Sequence, residues 1–440
     1  MVRPSPETLC GWGRVPVPGR ERRSEDLRHL TRGLPLSRGL GRSYGDSSLP
    51  PPSHPVAANT TLADRILAFD AATGIVRAEA GLSMAALHRV LLPRGFFTPV
   101  SPGTSFVTLG GAVAADVHGK NHHVAGCFGA HVTALTLAVA DGRVVTCSPT
   151  VERDLFRATV GGMGLTGHIL EVEFRMERVP SAWIDQEVEQ APNIDAFIEA
   201  LDRAAREWPF TVGWIDCLTT GSAMGRGFVG KGRWDPDGPP DPPREPFRPF
   251  VPFEMPGFVL SDLTVRVFNE SIYRVLGRPR RGRVSPQPFF YPLDAIGHWS
   301  RMYGRRGMTQ YQCVIPRAAG REAVREVLRV PVERGGASFL CVLKDCGAEG
   351  LGLLSFPKPG ISIALDLPIR RDTQALVDAL NERVIAAGGR VYLAKDTFTR
   401  ADHFQQMEPR LAEWQEIRRR WDPNLTLRSA QSVRLFGDPP

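Results

Sequence analysis

The sequence predicts an α+β fold of two domains, and three observations carry that expectation. At 440 residues the chain exceeds what one ordinary core holds. Strand-like and helix-like runs follow one another without the strand–helix–strand rhythm of a doubly wound parallel sheet. Between Val179 and Pro192 the pattern changes character, which divides the chain into units 1–180 and 181–389 and a closing segment 390–440.

In the first unit, Leu34 to Asp46 (LPLSRGLGRSYGD) is a short apolar segment running into Gly39, Gly41 and Gly45. Successive backbone N–H groups in such a loop suit phosphate. Tyr44 takes the place of the last glycine in GxGxxG and no helix pattern follows, so a nucleotide site of another design is expected. Ile66 to Ala80 reads as two short strands about a turn at Thr73–Gly74, and Ser83 to Leu92 as a helix with Ser83 as N-cap.

Ser101 to His123 (SPGTSFVTLGGAVAADVHGKNHH) combines Gly103, Gly110 and Gly111 with His118, Lys120, His122 and His123. Glycines let backbone approach a ligand closely, and the titratable side chains beside them can move protons. The competing reading is a surface loop with solvated histidines. Ala134 to Thr146 is a hairpin about Asp141–Gly142. Gly162, Gly164 and Gly167 match GxGxxG, but a helix-like DLFRATV precedes them and a strand, HILEVEFRM, follows. That order rejects a Rossmann site.

The second unit opens with an amphipathic helix carrying Ile194, Phe197, Ile198, Leu201 and Trp208 on one face, which reads as core. Trp234 to Pro256 is rich in proline, with Phe247, Phe250 and Phe253, and is not expected to be regular. Strands follow at 310–315, 337–344 and 361–367, with helices at 321–328 and 372–387, the latter ending at Gly388–Gly389. VYLAKDTFT reads as a strand carrying Tyr392 and Lys395 into a turn, and a closing helix spans 401–421.

Composition narrows the function. A mean hydropathy of −0.16 and no apolar run near the ~18 residues of a membrane span describe a soluble protein, and the first residues lack the apolar core of a signal peptide. Seven cysteines without CxxC or Cys/His metal spacing fit reduced thiols in the cytoplasm, with no metal site. The net charge of +7 suits anionic partners, but the one dense basic cluster, Arg278 to Arg283, lacks interleaved aromatics, so nucleic acid is the weaker partner. Lysine occurs only at 120, 231, 344, 358 and 395. A lysine kept in so arginine-rich a chain is a candidate titratable amine.

Four motifs carry a resemblance: RGLGRSYGD at Arg38–Asp46, PGTSFVTLGGAVAADVHGKNHH at Pro102–His123, GGMGLTG at Gly161–Gly167 and YLAKD at Tyr392–Asp396. They resemble the flavin-binding oxidases of the vanillyl-alcohol oxidase fold. GWIDC at Gly213–Cys217, YPLDAIGHW at Tyr291–Trp299, QYQCVIP at Gln310–Pro316 and SFPKPGISIALDLPI at Ser355–Ile369 extend the likeness over nearly the whole chain, to the members that oxidise a lipid-linked ribose.

The resemblance implies an FAD-binding domain (1–180), a sheet-based substrate domain (181–389) and a segment (390–440) that returns to the flavin. It lays the FAD pyrophosphate on the backbone of Arg38, Gly39, Leu40, Gly41, Arg42, Ser43, Tyr44 and Gly45. Further FAD contacts fall to Gly103, Thr108, Gly110, Gly111, Asp116 and His118, with Ile169 near the adenine and Tyr392 at the flavin. Many relatives tether the flavin to a histidine where Arg42 stands here, so FAD is expected to be non-covalent.

Lys395 is the leading candidate for the group at the reacting hydroxyl, and His118 for a proton relay or flavin contact. Tyr44, Lys120, Gln310, Gln312 and Lys344 are expected to line the substrate pocket, with Trp214 and the aromatic proline-rich stretch covering it. A structural role for His122 and His123 weighs as heavily as a functional one.

The implied reaction is oxidation of the 2'-hydroxyl of a polyprenyl-phosphoryl-β-D-ribose to the 2'-keto sugar, the first half of an epimerisation to arabinose for cell-wall arabinan. A separate NADH-dependent short-chain reductase would complete it, and the lipid would bring peripheral membrane association. The alternatives are an oxidase of a soluble polyol or aldonolactone, and a non-catalytic binding protein on the same scaffold. Two departures stand out. Ala364 replaces the cysteine that nitroaromatic inhibitors modify in the mycobacterial form, and Ser362 replaces an amide side chain.

Overall fold

The computed structural model describes residues 7–239, 241, 243, 248–335 and 339–440. In the first half, strands Arg20–Arg23, Val56–Asn59 and Ser37–Arg38 form a small parallel sheet with Val56–Asn59 in the middle. Beside it stands an antiparallel sheet of five strands in the order Val144–Cys147, Val132–Ala138, His168–Arg175, Ile75–Glu79, Ile66–Asp70. The hairpin turn has Gly142 at φ 86°, the left-handed value its Asp–Gly pair anticipates. Ser83 caps the helix Met84–Leu91 through its side chain, which accepts from the Ala86 N–H at 3.1 Å. Leu87, Leu91, Leu135 and Val172 from these elements share one core with Leu109 and Val113 of the helix Leu109–Ala114.

The second half is built on an eight-stranded antiparallel sheet. Its order is Arg280–Val284, Ile184–Ala191, Gly227–Trp234, Phe210–Ile215, Cys341–Cys346, Gly360–Pro368, Met308–Pro316, Arg390–Val391. Helices Ile194–Glu207, Gly320–Arg334 and Thr373–Ala386 pack on one face. Strand alternation divides the side chains: Tyr311 turns to the helices, where its hydroxyl donates to Asn381 at 2.9 Å, while Gln310 and Gln312 turn to the other face and line a cavity.

From Arg390 the chain joins both halves. Arg390–Val391 is the edge strand of the large sheet, whereas the Trp414 Nε1–H donates to Ala158 O at 2.9 Å in the first half. The expected strand stops there, and Leu393–Lys395 is a tight turn instead.

The closing helix is two, Ala401–Met407 and Leu411–Trp421. The break falls at Glu408, extended at φ −123° and ψ 86°, because Pro409 excludes the helical conformation from the residue before it. Two further helices, Asp262–Val275 and Ala430–Phe436, have no counterpart in the sequence expectations.

The strand expected from Ala337 begins at Cys341, and residues 336–338 lie outside the described set, as do 240, 242 and 244–247 of the proline-rich stretch. The described residues of that stretch beyond Trp234 form no helix or strand. The basic cluster is an edge strand whose Arg281 and Arg283 pair with Asp185 and Asp235. The seven cysteines form no disulfide among the described residues.

Candidate active site

Between the glycine loops of the first half and the open face of the large sheet lies one long cavity of about 1940 Å³, mouth included. Its walls come from both halves of the chain. Of the expected cofactor residues, Gly39, Leu40, Gly41, Arg42, Ser43, Tyr44, Gly103 and Thr108 line it, and so do Gly110, Gly111, His118, Ile169 and Tyr392. All the expected substrate residues except Trp214 line it too.

The wall fits a large anionic group. A Cβ at Gly103 or Gly164 would meet nothing within 4 Å, so these two backbones face open space. Gly39 is glycine for another reason, since a side chain there would collide with Thr108. The buried Arg42 guanidinium lies 4.5 Å from the Trp12 ring centroid and donates to Leu40 O at 2.6 Å, yet its Nε has no partner. Burial lowers its pKa, against the opposing pull of Asp294.

The other end is crowded with amines. Burial pushes the pKa of Lys120 down to about 7, with help from Lys344. Lys344 is lowered by burial as well. Lys395 is lowered by burial and by Lys344, against the opposing pull of Asp366, and its Nζ stands 4.0 Å from the Tyr44 ring centroid. Lys120 Nζ donates to Phe289 O. Burial, Lys344, His122 and Lys395 hold His118 well below the usual imidazole range, so the ring is neutral. Gln312 donates to its Nε2 at 2.8 Å, which leaves Nδ1–H buried without an acceptor. The ring lies against Tyr392, centroids 4.9 Å apart, and the Tyr392 hydroxyl donates to Ala115 O at 2.9 Å.

Four expected residues are placed elsewhere. The Arg38 guanidinium points away to Glu21, Ser48 and Cys10 O. Gly45 packs on the Asp396 carbonyl, which leaves no space for a Cβ. Asp116 is wholly buried behind the wall, accepting from the Gly129 N–H at 2.8 Å and from Ser355, and burial raises its pKa to about 6. Trp214 stacks on Phe228 and donates to Phe339 O at 3.0 Å, a packed position and not a cover. His122 and His123 also lie outside the lining. His122 Nδ1 accepts from the Gly347 N–H at 3.0 Å, and His123 Nε2 donates to Trp208 O at 3.0 Å.

Two carboxylates complete the site. Asp366 sits opposite Gln310 in the sheet and accepts from Gln310 and, at 3.3 Å, from Tyr303. Asp294 lines the cavity and accepts from Thr104 Oγ1 (2.6 Å), Ser105 N (2.8 Å) and Ser105 Oγ (2.9 Å). A charged residue inside the otherwise apolar run ISIALDLP is the signal that marks Asp366, since a strand buried on both faces carries a carboxylate only where partners wait. Among the described residues no cluster could hold a metal ion.

Residues 31–148 match the FAD binding domain family. The protein is an FAD-dependent oxidoreductase of α+β architecture. Over 97% of its length, and 97% of the relative's, it is 35% identical to the decaprenylphosphoryl-β-D-ribose oxidase of Mycolicibacterium smegmatis, and the chain belongs to that enzyme's family. An uncharacterised protein of Streptomyces coelicolor is 33% identical over 79% of this chain and 99% of its own. Human Δ(24)-sterol reductase is 32% identical over 25% of this chain and 22% of its own.

Proposed function

We propose that the protein oxidises the 2'-hydroxyl of a polyprenyl-phosphoryl-β-D-ribose to the ketone, with FAD held non-covalently. The observation that carries this reading is the set of three half-buried lysines and a neutral histidine that line the cavity. Bound FAD supplies the hydride acceptor. Lys395, its amine shifted toward the neutral form, takes the hydroxyl proton, and Lys120 and Lys344, held protonated by the negative charge of a bound phosphate, pair with that phosphate. Gln312 fixes the His118 ring, whose Nδ1–H is free to donate to a ligand. Because the product is a ketone, a separate NADH-dependent short-chain reductase would reduce it from the other face to complete an epimerisation. A substrate with a polyprenyl tail calls for peripheral association with a bilayer.

The test is anaerobic loss of flavin absorbance on adding polyprenyl-phosphoryl ribose, compared with xylitol and gulonolactone. Bleaching by the lipid-linked sugar alone is expected. Bleaching by the soluble compounds alone would move the assignment to a soluble polyol or aldonolactone.

A further inference from the structure

Among the described residues no helix is long and apolar enough to cross a membrane, so contact with lipid must come from a surface. One helix offers it. On Asp262–Val275, Leu263, Val267 and Val275 fall at i, i+4 and i+12 and are 72%, 62% and 62% exposed. Phe268 and Leu276 extend the exposed apolar strip. A soluble helix ordinarily turns such residues inward.

A second apolar strip lies close by. Phe250 and Phe253 are 62% and 61% exposed. Their segment is fastened to the turn Trp299–Tyr303, where Arg301 donates to Val251 O and Pro252 O at 3.0 and 2.9 Å and Met255 N donates to Arg301 O. The turn Gly257–Leu260, which leads into the exposed helix, packs on Trp299–Tyr303 as well. Trp299 lines the cavity. From the helix side, Phe268 meets Phe339 with ring centroids 5.5 Å apart, and the next residue, Leu340, is again cavity wall.

Exposed arginines without a carboxylate partner lie around these strips. Arg278, Arg280, Arg305 and Arg306 are exposed, and none has a carboxylate in ion-pair range among the described residues. Glu270 and Glu254 are engaged by Arg226, Arg274 and Arg14. Apolar side chains flanked by unpaired arginines are what a helix needs to lie in the interface of an anionic bilayer.

We infer that the face formed by the helix Asp262–Val275 and Phe250–Phe253 docks on the surface of an anionic lipid bilayer, with the cavity directly behind it. This deepens the proposed reading, since a polyprenyl-phosphoryl sugar would then reach the site without leaving the membrane.

The test is flotation of the holoenzyme with phosphatidylcholine vesicles and with mixed phosphatidylcholine–phosphatidylglycerol vesicles, together with flavin reduction by a short-chain, water-soluble phosphoryl ribose. Wild type should float with the anionic vesicles. Leu263→Asp/Val267→Asp and Arg278→Glu/Arg280→Glu should each lower partitioning about tenfold or more and leave reduction unchanged. Val151→Asp, an exposed apolar residue of the first half, should alter neither. Wild type remaining with the protein fraction, or the Leu263→Asp/Val267→Asp variant floating like wild type, overturns the inference. A wild-type dimer that this variant converts to monomer also overturns it, because the face would then meet a second copy. Flotation as expected, with no reduction by the short-chain sugar, upholds the surface and defeats the substrate assignment instead.

Discussion

Asp366 stands directly across the sheet from Gln310 and accepts a hydrogen bond from its amide. Tyr303 donates to the other carboxylate oxygen, and Lys395 and Tyr44 share the same enclosed space. Burial raises the Asp366 pKa while Gln310 and Lys395 lower it, and in return the carboxylate holds Lys395 above the value that burial and Lys344 alone would set. If neutral Lys395 is the proton acceptor, the rate of flavin reduction climbs with pH as the amine deprotonates. Asp366→Asn removes the negative charge and so lowers the Lys395 pKa. The rising limb should move to lower pH by about one unit. Stopped-flow reduction over pH 6 to 9 measures it, and a limb that stays in place would remove Asp366 from control of Lys395.

Lys395→Ala tests the acceptor itself. The lysine contributes no hydrogen bond to the glycine loops, and its nearest described partner is the Tyr44 ring, so FAD should stay bound. Reduction by substrate should fall about 10²- to 10⁴-fold. Wild-type reduction kinetics in a variant that keeps its flavin would exclude Lys395 from the chemistry.

Much of this arrangement was legible in the sequence where local chemistry decides it. Ser83 caps a helix because a side-chain oxygen suits a free N–H, and Asp141–Gly142 turns a hairpin because Gly142 tolerates positive φ. Motif likeness grouped the glycine loops with Lys395, and they line one cavity. Tertiary context hid the rest. Arg38 sits inside a glycine motif yet is absent from the cavity lining, and its guanidinium meets Glu21 on a strand that shares the neighbour Val56–Asn59. Trp214 looked like a cover because an aromatic near a ligand stacks well, and its indole N–H found a backbone carbonyl in the neighbouring sheet region. Pro409 splits the expected 401–421 helix into Ala401–Met407 and Leu411–Trp421, because the residue before a proline avoids the helical conformation.

The three lysines should make stability depend on pH in the apoprotein. Burial depresses their folded pKa values, Lys120 to about 7, while the unfolded chain keeps each near the ordinary 10.4. Between these values the unfolded state binds more protons, so stability rises with pH from about 7, by up to about 1.4 kcal/mol per unit for each lysine. Buried thiols such as Cys147 and Cys346, raised to about 12, reverse the trend once unfolded cysteine ionises near 8.5. Urea unfolding at pH 7.0 and 8.5 should show greater stability at 8.5, and Lys120→Met should flatten the difference. Equal stability at both values in the wild type would contradict the depressed amines.

Ala364 lines the cavity opposite Gln312, and no cysteine does so among the described residues. A nitroaromatic compound activated at the flavin therefore meets no thiol in the wall, and intact-mass spectrometry after turnover should show no adduct. Ala364→Cys places a thiol on the cavity face of the strand and should gain one equivalent of modification. An adduct on the wild-type chain would show that a buried cysteine becomes reachable.

Asp294 ties the turn Pro292–Ala295 to the loop that carries Pro102 and Gly103 through three accepted hydrogen bonds. The Ser105 N–H is one of them, so Asp294→Ala leaves a backbone donor unpaired and releases the loop that presents an open glycine to the cavity. Hydrogen bonds to a charged group are worth about 1.5 to 3 kcal/mol each, and part of that is now invested in holding the wall closed. FAD dissociation should quicken about tenfold or more, while reduction of the flavin still bound keeps its pH profile, because Lys395 and Asp366 are untouched. The two readouts separate a loosened wall from a damaged reaction centre: a shifted profile with unchanged FAD release would place Asp294 in the chemistry instead.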